Sequence, residues 1–97
     1  MSYLLHPEAS QDLVDAADYY RKQAGNILSQ AFLDEFERSV ERLLRHPLLG
    51  AKWRKDKRKL VMTRFPYAVI YAISKDELHI YAVAHHSRHP AYWRGRK

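Results

Sequence analysis

The spacing of apolar positions changes once along this chain, from a helical period to a strand period. Tyr3-Leu4-Leu5 is a short apolar run and reads as a first strand. Leu13, Ala17, Tyr20 and Ala24 then recur at helical spacing, with Asp12, Asp15, Asp18, Arg21 and Lys22 off that stripe. His6-Pro7-Glu8 supplies the helix start. Proline is tolerated at the first helical position, and an acid there complements the helix dipole. Gly25-Asn26 breaks the pattern. Leu28, Phe32, Phe36, Val40 and Leu43 mark a second helix from about Ile27 to Arg45, with Asp34, Glu35, Glu37, Arg38, Glu41 and Arg42 as its wet face. His46-Pro47 ends it, because proline pushes the residue before it out of helical geometry. A connection this short makes the two helices an antiparallel hairpin.

Beyond Gly50 the period is two. Leu60 to Thr63, Tyr67 to Ile73 and Leu78 to Ala84 are rich in β-branched and aromatic residues and read as strands. Ser74-Lys75-Asp76-Glu77 is a polar turn between the last two. The order β-α-α-β-β-β predicts one α+β domain over residues 1–97, a helix hairpin packed on a small, mainly antiparallel sheet. Centring the last hairpin on Lys75-Asp76 sets Ile73 opposite Leu78, Tyr71 opposite Ile80, Val69 opposite Ala82 and Tyr67 opposite Ala84, all facing the helices. The second face then carries Ala68, Ile70, Ala72, His79, Tyr81, Val83 and His85. It is too apolar for a solvated sheet face, so a cover is expected. That cover is either a partner or the C-terminal tail folding back through Tyr92 and Trp93.

Composition narrows the class. At 46% hydrophobic and 29% charged, the chain is globular rather than disordered. With no cysteine, it has neither disulfides nor a thiolate metal site. Its start lacks the features of a signal peptide, and no apolar run is long enough to span a bilayer. A cytoplasmic location without a membrane partner is expected. The charge is strongly segregated. Residues 1–49 hold five Lys/Arg and eight Asp/Glu, a net of −3, whereas residues 50–97 hold twelve and three, a net of +9. Segregation of this kind makes a directed field that draws in anions, although a basic run can also be a plain solvated face.

Two clusters could carry chemistry. Lys52, Trp53, Arg54, Lys55, Lys57, Arg58 and Lys59, with Arg64 beyond them, combine cations with an aromatic ring. Such a set can hold phosphates and stack a base. His85-His86-Ser87-Arg88-His89 lies at the end of the last strand, followed by Tyr92 and Trp93. Histidine can shuttle protons near neutral pH, and arginine can stabilise a charged phosphate. These parts suit cleavage of RNA by its own 2′-hydroxyl, a reaction that needs a base, an acid and cations but no metal. His86 and His89 read first as plain surface residues. A metal at His85 and His89 would lack further ligands nearby, so no metal is expected. No Gly-rich phosphate loop is present, and no cofactor is expected.

The helix hairpin, Pro47-Leu48-Leu49-Gly50, Arg64-Phe65-Pro66-Tyr67-Ala68-Val69-Ile70-Tyr71 and Ala82 through Trp93 together resemble the RelE/ParE family, toxins of type II toxin–antitoxin systems. The resemblance implies a cognate antitoxin whose flexible segment wraps the toxin, giving a hetero-oligomer. RelE-like members cleave mRNA on the ribosome. Carried over, that implicates Arg64, His85, Arg88 and Tyr92 as catalytic, with Lys57, Arg58 and Lys59 more loosely. ParE-like members inhibit DNA gyrase and have no established catalytic set. His85, Arg88, Pro90 and Trp93 resemble ParE-type endings, whereas the lysine cluster and Tyr92 point towards RelE. A metal-independent endoribonuclease, a gyrase inhibitor and a non-toxic domain that binds nucleic acid or antitoxin all remain open here.

Overall fold

The computed structural model describes residues 1–87. Its elements run β1 (Ser2–Leu5), α1 (Pro7–Ala24), α2 (Asn26–Arg45), β2 (Ala51–Arg54), β3 (Lys57–Val61), β4 (Tyr67–Ser74) and β5 (Glu77–His85). The five strands form one sheet in the order β1-β5-β4-β3-β2. All neighbours are antiparallel except β1, which runs parallel to β5. The α+β architecture and the helix hairpin are as the sequence predicts, with one strand more. β2 carries two cations and a single large apolar residue in four positions, so it shows no apolar alternation. Only pairing to β3 makes it a strand.

One residue, Gly25, separates the helices, with a φ of 91° that side-chain-bearing residues rarely adopt. The core lies between the hairpin and the sheet. Phe32 has no exposed surface. Its ring meets those of Tyr20, Phe65 and Tyr67 at 5.0–5.5 Å. These are tilted and edge-on packings that aromatic rings favour over face-to-face sandwiches. Leu13, Phe36, Val40, Leu43, Val69, Tyr71, Leu78 and Ile80 extend this core.

The β4–β5 hairpin turns on Lys75 and Asp76, both at positive φ, as the strand twist requires of a two-residue loop. Ile73 faces Leu78 and Tyr71 faces Ile80, as expected. Beyond them the pairing steps by one. Ile70 faces Ala82, Val69 faces Val83 and Tyr67 faces His85, which leaves Tyr81 as an extra residue in β5. This β-bulge corrects the expected faces. Val83 joins the helix-side core, while Ala82 and Ala84 pack with Ile70 on the opposite side. His85, expected on the second face, lies on the helix side, its ring edge-on to Tyr67 at 5.0 Å.

The bulge falls where β5 loses its outer neighbour. The register with β1 ends at Leu5 opposite Ile80. The next outward N–H, that of Val83, donates to the Asp12 carboxylate of α1 at 3.0 Å. An aspartate off the helix stripe thus satisfies a strand edge.

Glu35 is a second correction. Expected on the wet face of α2, it is only 6% exposed. It lies between Phe32 and Phe36 along the chain and turns inward to the β3–β4 loop. Its carboxylate accepts the Thr63 N–H at 3.1 Å and pairs with Arg38 at 3.1 Å. Burial pushes its pKa up, but the bonds from Arg38, Thr63 and the Arg64 backbone outweigh that and hold it below the usual carboxylate range. A carboxylate with a depressed folded pKa adds stability that is present above its unfolded pKa and is lost as pH falls through the folded one. Glu35→Gln is therefore expected to lower stability at pH 7 and to flatten its decline below about pH 4. Urea melts of both proteins at pH 7 and pH 3 check this, and an unchanged gap between them at the two pH values would refute it.

Candidate functional site

Alternation along β3 sends Leu60 into the core and Lys57 and Lys59 to the face away from the helices. There each lysine meets an aromatic ring. The Lys57 Nζ lies 4.6 Å from the centre of the Tyr81 ring, and the Lys59 Nζ lies 5.3 Å from that of Trp53. The Arg54 guanidinium also approaches Trp53, at 5.1 Å. Both rings are fixed from below. Trp53 packs on the cluster formed by Ile70 and Ala82. Tyr81, the bulge residue, has His6 at 4.4 Å and His79 stacked at 6.3 Å. Sequence reasoning missed the part of His6 and His79, because their convergence depends on β1 joining the sheet beside β5.

Neither histidine presents a free ring to solvent. The His79 Nε2 lies 3.3 Å from the Glu77 carboxylate. Among the described residues, the buried His6 Nε2 has no hydrogen-bond partner. Burial and then the nearby His79 lower the His6 pKa; Glu8 pulls the other way, and Lys57 adds a smaller lowering. Burial likewise raises the Tyr81 hydroxyl, with Asp56 adding to it.

The predicted site residues divide among different places. Lys57, Lys59, Trp53 and Arg54 gather on the second face, with Lys55 exposed in the turn after β2, whereas Lys52, opposite Arg58, alternates to the helix side. Arg58 alternates to the helix side, opposite Tyr71, and donates to the Gly50 carbonyl at 2.8 Å. Its charge serves the fold locally. Arg64 is exposed in the β3–β4 loop, where Glu35 holds its backbone. His85 lines a cavity of about 370 Å³ between α1 and β5, with Asp12, Asp15, Tyr19, Tyr67 and Ser87. Its Nδ1 accepts the Ser87 N–H at 3.0 Å, which commits that nitrogen to the turn. Arg88 and Tyr92 lie outside the described residues, as do His89 and Trp93. Among the described residues, no three His, Asp or Glu side chains converge as metal ligands would.

Rings held under cations on an apolar sheet can stack bases and neutralise phosphates without sequence preference. The imidazole of His85, expected to work beside those cations, lies across the sheet from them.

Among the described residues, no helix is long and apolar enough to cross a membrane. No curated protein matches the sequence significantly. The solved structure titled chromosomal ParDE TA system from P. aeruginosa superposes with a TM-score of 0.79 at 20% identity, covering 88% of this chain and 95% of that one. That likeness establishes the fold. The sequence model described as the ParE toxin of the type II toxin-antitoxin system, parDE, matches residues 3–90. With nearly its whole length matched, the chain belongs to the ParE toxin family of type II toxin–antitoxin systems.

Proposed function

We propose that this toxin acts by binding, as an inhibitor of DNA gyrase, with its cation–aromatic face set against the DNA that the enzyme holds. The observation that carries this reading is the bulge at Tyr81. It leaves Lys57, Lys59 and Trp53 on one face of the sheet and His85 on the other. General acid–base catalysis needs its groups within hydrogen-bond reach of the reacting atoms. Phosphate binding needs only the cations. Membership of the family adds an antitoxin as partner.

The runner-up is ribosome-dependent cleavage of mRNA. The rings and lysines favour it too, since they suit RNA as well as DNA. Induction in growing cells separates the two readings. Loss of plasmid supercoiling while amino-acid incorporation continues is expected. Arrest of incorporation before any change in supercoiling would favour the nuclease instead.

A further inference from the structure

The segment Pro47 to Gly50 has a construction that the cation–aromatic face leaves unused. It links α2 to β2 and is fastened at every residue. The Tyr71 hydroxyl, on a fully buried side chain, donates to the Pro47 carbonyl at 2.8 Å and accepts the Gly50 N–H at 2.9 Å. The Leu49 N–H donates to the His46 carbonyl at 3.0 Å. Arg58 donates to the Gly50 carbonyl at 2.8 Å and reaches that of Leu48 at 3.4 Å. A Cβ on Gly50 would come within 2.6 Å of the Tyr71 hydroxyl and 3.0 Å of the Lys59 carbonyl, so this close approach needs glycine.

The side chains displayed by this rigid loop are apolar. Leu48 is 68% exposed and Leu49 44% exposed. A lone exposed leucine is ordinary. Two in succession on a loop pinned by a buried phenol and a guanidinium are a prepared surface, because their ordering cost is met before any partner arrives. The chain continues directly into exposed Lys52, with Lys55 exposed in the turn beyond. An apolar centre with a charged border is the anatomy of a protein interface.

We propose that Leu48 and Leu49 form the knuckle by which this toxin docks on gyrase, entering an apolar recess with acidic margins. The proposal rests on the gyrase reading above. One feature favours a folded target over the antitoxin segment. Leu48 and Leu49 stand exposed on a short loop pinned by Tyr71 and Arg58, whereas an extended segment that folds on binding is held in grooves. The bordering cations select an acidic rim, and the chain's net charge of +6 favours the same sign of partner.

The test compares the full chain with Leu48→Ser plus Leu49→Ser, and with Ile27→Ser as control. Ile27 is 89% exposed and lies at the opposite end of α2. Each protein is assayed for binding to purified gyrase, for binding to its antitoxin and for growth arrest at equal accumulation. The double variant is expected to bind gyrase about tenfold or more weakly, as loss of two leucines that docking would bury implies, and to lose growth arrest. Its antitoxin affinity should hold within about twofold, and the control should match the parent. Unchanged gyrase affinity with retained arrest would overturn the proposal, as would an equal loss of antitoxin affinity. If the parent arrests growth without binding gyrase, the gyrase reading fails by itself. The knuckle is then judged by arrest alone: its loss in the double variant supports a docking role, and its retention refutes one.

Discussion

Reversing two charges, Lys57→Glu with Lys59→Glu, is expected to abolish growth arrest, whereas His85→Ala is expected to leave it intact. The two lysines are the cations held over Tyr81 and Trp53. Each duplex phosphate that a cation no longer neutralises lowers the dependence of log affinity on log salt by about 0.9, so removing both lysines should reduce that slope by about 1.8. Reversal adds repulsion to that effect. His85 sits across the sheet, its Nδ1 bound by Ser87 and its ring against Tyr67. Its truncation should therefore cost some packing and no toxicity. Growth curves at matched expression, with salt-dependent DNA binding of the purified proteins, make the comparison. If His85→Ala lost toxicity while still binding antitoxin and melting normally, the binding mechanism would give way to a nuclease.

The largest effect on stability is expected at Phe32. Phe32→Ala removes a ring with no exposed surface from a cluster with Tyr20, Phe65 and Tyr67. Truncations of this kind cost about 3–5 kcal/mol, against a total of about 5–15 kcal/mol for a domain. A drop in Tm of about 12 °C or more follows for a chain of this size. Val14→Ala on the outer face of α1, where Val14 is 58% exposed, should change stability by less than about 0.5 kcal/mol. Thermal melts by circular dichroism would show the contrast. A small change at Phe32 would mean that the neighbouring rings collapse into the space.

The helices were the most legible part of the chain, because their stripes are long and their ends are marked by Pro7, Gly25 and Pro47. The hairpin turn was equally plain, since Lys75-Asp76 leaves little choice of register nearby. The sequence misleads where tertiary structure overrides alternation. Nothing in Ile80-Tyr81-Ala82 signals a bulge, because each residue suits a strand on either face. The reason for it lies at Leu5, where β1 stops supporting β5. Glu35 looked solvated for a related reason: a carboxylate at the margin of a stripe is drawn inward only if a distant loop supplies N–H donors, here those of Thr63 and Arg64. For the site, the cationic segment was legible as a segment. Its division into Lys57 and Lys59 on one face and Arg58 on the other depends on β3 beginning at Lys57.

The bulge also bears on how chains of this fold can differ in length. Tyr81 is an additional residue around which the neighbours keep their pairing, Ile80 with Tyr71 and Ala82 with Ile70. Deleting its codon would leave every other residue of β5 on its present face, and the strand would simply become regular. Only the ring beneath Lys57 would go. A gap inside a strand ordinarily signals a misplaced alignment; at this codon it would mark a toxin that keeps the scaffold and lacks half of its aromatic platform.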